Sequence, residues 1–464
     1  MATCLAAVLA LGAGSPTASD SGGTPPAAGF SVPVQYHKLD NGLRVVLSPE
    51  PGAATAVVAV YYNIGFRLEP KGRTGFAHLF EHMMFQGSRN LGKMEFVRLI
   101  QANGGVLNGS TRFDFTNYYQ IVPPHAVETV LWAEADRMRG LAIDAENLKN
   151  QQEVVKNEVR VNVLNRPYGG FPWLDLPQHA NRNWANAHNF YGDLAELDAA
   201  TLQDVADFFR TFYAPNNAAL VLTGAIEPEQ ALAWARRYFG SIPAGPARRP
   251  VDVSEPRQEQ ERRASVRDER ATRPALAVGY HAPERLTPEY YALGLIDQVL
   301  LQGRDSRLWQ ALVEQGGFGA EVTGGINADL GHMFNIGGPT LWSFSLIHDA
   351  DKPAAAILAA VDREVEALRR APLDAATLDL ARVKMRSALY DRLEQTFGFG
   401  RADLLASFAL FDDDPSLVNR IEEAFARVTP ELVQKTAQEY LRPGNRTVLT
   451  LEPGAAPAAA GAGR

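Results

Sequence analysis

The sequence predicts an α+β protein made of two duplicated domains. Three observations carry that expectation. Short Val- and Tyr-rich runs alternate with longer helix-type segments, a stretch rich in Pro, Arg and Glu and poor in apolar residues divides the chain near its middle, and two short motifs recur on both sides of that stretch. The 464 residues suffice for two to four domains at about 100–200 residues each.

In chain order, 34–39, 44–48 and 56–64 read as strands, with partial alternation. Segments 76–85 and 94–103 read as helices, 114–122 as a strand, and Pro123-Pro124 punctuate before a helix at 125–139. A long helical stretch covers 145–164, an Asn/Pro/Gly-rich loop 165–170, a helix 202–212 and a strand 218–222. After 244–272 the pattern restarts: strand 275–280, helices 288–301 and 306–315, and at the end strand 447–451. The first echo aligns Pro215 and Asn217 with Pro443 and Asn445 at one constant offset. The second aligns Phe85-Gln-Gly87 with Leu301-Gln-Gly303, each after a helix. The expected boundaries are a signal-like segment and tether at 1–32, a first domain at 33–243, a linker at 244–272, a second domain at 273–453 and a disordered tail at 454–464.

Hydrophobic residues make up 46% and charged residues 21%, the balance of an ordinary globular chain. Forty-five basic against 53 acidic side chains leave a net charge of −8, which argues against nucleic acid as a partner. A single cysteine, Cys4, rules out an internal disulfide framework or a cysteine-based zinc site. No apolar run reaches the ~18 residues of a membrane span. The apolar run 5–13, followed by Ser, Thr, Gly and Pro, resembles a secretory signal, although no Lys or Arg precedes Lys38; the expectation is that the start lies inside a longer signal. Cys4 precedes the apolar run, whereas a lipobox cysteine would follow one. That reading implies a periplasmic or secreted location, with the tether able to hold the chain at a membrane.

The most informative segment is His78-Leu-Phe-Glu81-His82. At about 100° per residue, His82 lies about 40° from His78 and Glu81 about 60° to its other side. One helix face therefore carries two imidazoles able to hold a metal ion and a carboxylate able to reach a water on it. The opposite face, Phe80, Met83 and Met84, is apolar and suits a core. His-x-x-Glu-His is the inverzincin signature. The other histidines considered (His125, His179, His188, His281, His332 and His348) lack metal-ligand spacing and are read as structural. There is no Gly-x-Ser-x-Gly, P-loop or Rossmann fingerprint.

With this motif the chain resembles the pitrilysin/insulinase family of zinc peptidases, which includes the mitochondrial processing peptidase, along nearly its whole length from Val34 to Leu451. The likeness includes Gly104-Gly-Val-Leu-Asn108, Asp114-Phe-Thr116, Asn165-Arg-Pro-Tyr-Gly169 and Tyr213-Ala-Pro-Asn-Asn217, and it looks like the family's bacterial two-domain members. The resemblance implies two mostly antiparallel sheets, each with helices packed on it, and one Zn2+ per chain in the first domain. It implies a third ligand about 76 residues after His82, which is Glu158. Glu153, five residues away, points off that face. Some members carry a second glutamate seven residues before the ligand; here that position is Gln151, still on the same face, as a neutral supporting partner. Asn108 falls where the family contacts the substrate backbone at a strand edge, and Gly104, Gly105 and Gly109 are read as room for close backbone approach. Glu81 is the expected general base and proton carrier.

Under the 216-residue offset of the Gln-Gly echo, His78, Glu81 and His82 fall on Gly294, Asp297 and Gln298, so the second half carries no zinc site and is expected to wall a substrate chamber. Family members also place an Arg and a Tyr in a non-zinc domain to hold the substrate carbonyl; the matching positions here are Val313 and Ala320. The resemblance therefore implies a peptidase acting on peptides or unfolded segments as the zinc subunit of a heterodimer, its homologous partner supplying Arg and Tyr. The alternatives are a processing enzyme for one small precursor peptide and a non-catalytic scaffold subunit.

Overall fold

The computed structural model describes residues 31–454. The signal-like segment and the C-terminal tail lie outside the described residues, apart from Ser31, Val32 and Gly454 at their borders. The class is mixed α+β with two sheets. The first takes β1 (Gln35–Lys38), β2 (Arg44–Pro49), β3 (Ala56–Tyr62), β4 (Val106–Thr111), β5 (Thr116–Val122) and β6 (Ala218–Gly224) in the order β1-β2-β6-β3-β5-β4. The second takes β7 (Arg262–Asp268), β8 (Ala275–His281), β9 (Thr323–Ile326), β10 (Leu341–Ile347) and β11 (Arg446–Pro453) in the order β7-β11-β8-β10-β9. Pairing is antiparallel except β2 with β6 and β7 with β11. The second sheet thus repeats the first without β1.

The echoes sit at equivalent places. Asn217, just before β6, donates its side-chain amide to Phe212 O (2.7 Å) and Asn63 O (3.2 Å). Asn445, just before β11, donates to Tyr440 O (2.7 Å) and His281 O (2.9 Å). The same residue type ties the preceding helix to the end of the central strand in both halves.

On one face of the first sheet pack α1 (Phe76–Met83), α2 (Glu95–Ala102), α3 (Val127–Arg139) and the helices Leu202–Phe212 and Pro228–Phe239. Its other face is covered by the second half. The helix Ala375–Phe411 leaves helical geometry from Gln395 to Gly398, and beyond that break Leu404, Leu405 and Phe408 pack on Val57, Ala59, Tyr61 and Val221. The exchange is reciprocal: helix Asp175–Ala180 of the first half places Leu176 and Ala180 against Ala275, Ala277 and Leu449 of the second sheet. Sandwiched this way, all seven residues of β3 are buried, which is why its sequence is a continuous apolar run rather than a strict alternation.

The stretch 244–272, expected to be a linker, contains β7, paired in parallel with β11. Its alternation is hard to see because its inward residues, Ala264 and Val266, are small and its outward ones are Arg and Ser. Helix 145–164 is α4 (Ala145–Val159) continued as a wide π turn, Arg160–Leu164. β4 and the helix Pro228–Phe239 were not among the expected elements.

Residues 246–250 remain exposed. Trypsin is expected to nick the chain there, after Arg248, while the two fragments stay together because each half supplies a helix to the other's sheet. Gel filtration of the nicked protein checks this; two separately eluting fragments would refute the exchange.

Candidate metal and catalytic site

α1 is built to be held rigidly. Gly75 precedes it in the left-handed region, φ 81°. The buried carboxylate of Glu69 accepts from Gly75 N (2.8 Å) and Ala77 N (2.6 Å), satisfying orphan donors at the positive end of the helix. His188 Nε2 stands 3.5 Å from the same carboxylate. Phe80, Met83 and Met84 are buried, and Phe80 stacks on Phe208 and Tyr213 at 4.9 and 5.1 Å, as the apolar face was expected to do. Glu69→Ala leaves both amides buried without a partner, so a loss of about 3 kcal/mol or more is expected in urea unfolding; an unchanged midpoint would show that Glu69 does not hold the helix.

The polar face of α1 meets α4. His78 Nε2 lies 3.5 Å from Glu158 Oε1, His82 Nε2 lies 3.2 Å from Glu158 Oε2, and the two imidazole nitrogens are 3.4 Å apart. Among the described residues, His78, His82 and Glu158 are the one cluster with metal-ligand spacing. A tetrahedral ion with ligands at about 2.0–2.1 Å has edges of roughly 3.3 Å; the two histidines reach different oxygens of Glu158, and with one atom from each residue the three ligand atoms lie within 4.8 Å of one another, so the set is of a size to gather around Zn2+. Burial pushes the His78 imidazole down to about 4, which keeps it neutral, the form that coordinates. Burial alone would raise Glu158, but the hydrogen bond with His82 and the nearby His78 outweigh it and hold the carboxyl below its ordinary value. His78 Nδ1 has no hydrogen-bond partner among the described residues; packing against Phe190 and Tyr191, at 5.2 and 5.1 Å, fixes the ring instead.

Glu81 stays outside the triangle. Its Oε2 accepts from Thr111 Oγ1 at 2.7 Å, and burial raises its pKa against the opposing hydrogen bond. Glu153 is turned away and pairs with Lys156 at 2.6 Å. Gln151 is buried on α4, two turns before Glu158. Asn108 is exposed on β4, the outermost strand of its sheet, and its Oδ1 accepts from Gly109 N at 2.9 Å. The reading of Gly105 changes: a Cβ there would lie 2.6 Å from Val122 Cγ1 and 2.8 Å from Ile100 Cγ2, so this glycine serves internal packing rather than ligand approach. In the second half Asp297 is buried, accepts from Trp342 Nε1 (2.7 Å) and Gln302 Nε2 (3.0 Å), and burial pushes it up to about 7. Val313 packs on the core and Ala320 is exposed.

Sequence reasoning missed Glu69, Thr111 and Tyr191, whose hydroxyl donates to Glu158 Oε1 at 3.1 Å. The one local signal was an acidic residue shortly ahead of a helix start.

Two family profiles match the chain. Insulinase (Peptidase family M16) covers residues 44–167, and Peptidase M16 inactive domain covers 199–385. The chain is 25% identical to zinc protease PqqE of Helicobacter pylori over 89% of this chain and 92% of that one. It is 25% identical to the mitochondrial-processing peptidase subunit beta of Saccharomyces cerevisiae over 47% of each, spanning about half of that relative. It is 23% identical to the human cytochrome b-c1 complex subunit 1 over 58% of this chain and 56% of that one. Among solved structures, a protease from Helicobacter pylori superposes with a TM-score of 0.83 at 23% identity, covering 91% of this chain and 100% of that one. The periplasmic protease PqqL from Escherichia coli gives 0.73 at 17% identity, covering 92% of this chain and 48% of that one. These likenesses establish the shared fold. No helix among the described residues is long and apolar enough to cross a membrane.

Proposed function

Because the chain belongs to the insulinase family of peptidases, family M16, we propose that it is a zinc-dependent endopeptidase whose ligands are His78, His82 and Glu158. The carrying observation is the cluster of His78, His82 and Glu158, whose ligand atoms lie within 4.8 Å of one another, with a separate, buried carboxylate beside it. Zinc, when bound, supplies a Lewis acid that polarises a carbonyl and acidifies water.

The chain's own residues do the rest. Glu81, oriented by Thr111, takes a proton from the attacking water and passes it to the leaving amine. Thr111 ends β4, so the free edge of that strand leads to the Glu81 carboxylate. An extended peptide adding to β4 runs past the base, with Asn108 setting its register. Gln151 supports Glu158 as a neutral neighbour. The second half, whose counterpart positions carry no ligand set, walls the substrate space, and a homologous subunit supplies the missing Arg and Tyr. A relative named as a subunit and another titled a periplasmic protease support pairing and export.

Similarity to a cytochrome b-c1 subunit favours the scaffold alternative, and metal content separates the two. Purified chain is expected to hold about one zinc per chain and His78→Ala almost none, measured by elemental mass spectrometry. A wild-type chain without zinc would refute the peptidase reading. A fluorogenic peptide library then distinguishes broad cleavage from processing of one precursor.

A further inference from the structure

We infer that Tyr191 is a positioning residue for the metal site: by donating its hydroxyl to Glu158 Oε1 it fixes the carboxylate and favours coordination through Oε2. The inference rests on the reading of His78, His82 and Glu158 as metal ligands. Its starting point is the 3.1 Å hydrogen bond, with Glu158 Oε2 left facing His82 Nε2 at 3.2 Å.

The contact is built into the fold. Gly192, φ 69°, passes so close to α1 that a Cβ on it would lie 2.3 Å from Gly75 N. Asp193 N donates to Thr74 Oγ1 at 2.9 Å, and Thr74 N and Oγ1 both donate to Glu196 Oε2, at 2.9 and 2.7 Å. Tyr191 N is tied to Asn189 Oδ1 at 2.8 Å. The segment 189–196 is therefore fastened across the N-terminus of α1 while its tyrosine reaches α4, setting the two ligand-bearing helices against each other. The Tyr191 ring is 5% exposed and wedged edge-on between His78, Phe190 and Trp173, with centroids 5.1, 4.9 and 5.9 Å away, so the ring is held and its hydroxyl stays beside Glu158, with the Asn162 side chain as its other polar neighbour.

The chemical consequence concerns the coordination count. A carboxylate with both oxygens free can chelate and fill a position that a hydrolytic site keeps open. With Oε1 accepting an O–H, the carboxylate is held in one orientation and Oε1 is the weaker donor of the two to a metal. Partners of this kind orient the ligand, and their loss typically costs about 10–100-fold in metal affinity.

Tyr191→Phe keeps the ring and its packing and removes only the hydroxyl. Zinc affinity is read by competition with a chromophoric chelator, and coordination number by the visible bands of the Co2+-loaded protein, which weaken when a fifth ligand oxygen binds. The expected result is an unchanged unfolding midpoint, a zinc dissociation constant raised about 10–100-fold and weaker cobalt bands than wild type. A wild type that binds metal and a variant matching it in affinity and spectrum overturn this inference and leave the metal site standing. A wild type that binds neither metal overturns both.

Discussion

Glu81→Gln is expected to keep its full metal complement and lose peptide turnover by about 10²–10⁴-fold. The carboxylate is held by Thr111 at 2.7 Å and stands apart from the three atoms of the ligand triangle, so the amide removes no ligand. The amide oxygen can still accept from Thr111, and the volume is unchanged, so folding and substrate space are preserved. Only the ability to take and return a proton is lost. Burial raises Glu81 toward neutrality, where a base both accepts and releases protons efficiently. His78→Ala and Glu158→Ala serve as contrasts, because each removes a corner of the triangle and should lose metal and turnover together. Metal content measured beside turnover in the same preparations decides the matter. Full activity in Glu81→Gln with metal retained would end the assignment of Glu81 as base and leave the ligands untouched.

The second large effect concerns the partner. Turnover by the purified chain alone is expected to be feeble, and to rise by at least about 10²-fold on co-expression with a homologous chain that carries the Arg and Tyr, since losing even one oxyanion donor typically costs about 10²–10³ in rate. Val313 packs its side chain on the core, and Ala320 presents a methyl group to solvent. Neither can donate a hydrogen bond to a developing oxyanion, and the second half offers no substitute at Gly294, Asp297 or Gln298, where Asp297 is committed to Trp342 and Gln302. Equal, vigorous turnover with and without the second chain would sink the heterodimer.

The parts of the site that could be read from the sequence are those encoded by spacing within one element. His78, Glu81 and His82 share a helix turn, and Phe80 and Met83 mark its buried side. Glu158 lies 76 residues beyond His82 and was placed by family resemblance; no local pattern ties it to α1. Thr111 and Tyr191 were invisible for the same reason, as each reaches the site from a separate segment through one hydrogen bond, while Glu69 left only the faint signal of an acidic residue ahead of a helix start. Tertiary crowding also reversed a local reading at Gly105, where freedom for a ligand turned out to be absence of room beside Val122. The repeat was legible through Asn217 and Asn445 because both perform the same double bond to backbone carbonyls. The hidden strand β7 shows the converse, since two small inward residues give little amplitude to an alternation.

The swapped helices impose an order on synthesis. The first sheet is complete once β6 has been made, ending at Gly224, but the helical residues that cover its second face, such as Leu404 and Phe408, emerge some 180 residues later. At about 5–20 residues per second that is a gap of roughly 10–40 s, during which Val57, Ala59, Tyr61 and Val221 have nothing to pack on. The second sheet faces no such delay, because its cover, Leu176 and Ala180, precedes it in the chain. The nascent first half therefore carries an uncovered apolar sheet face until the second half is made.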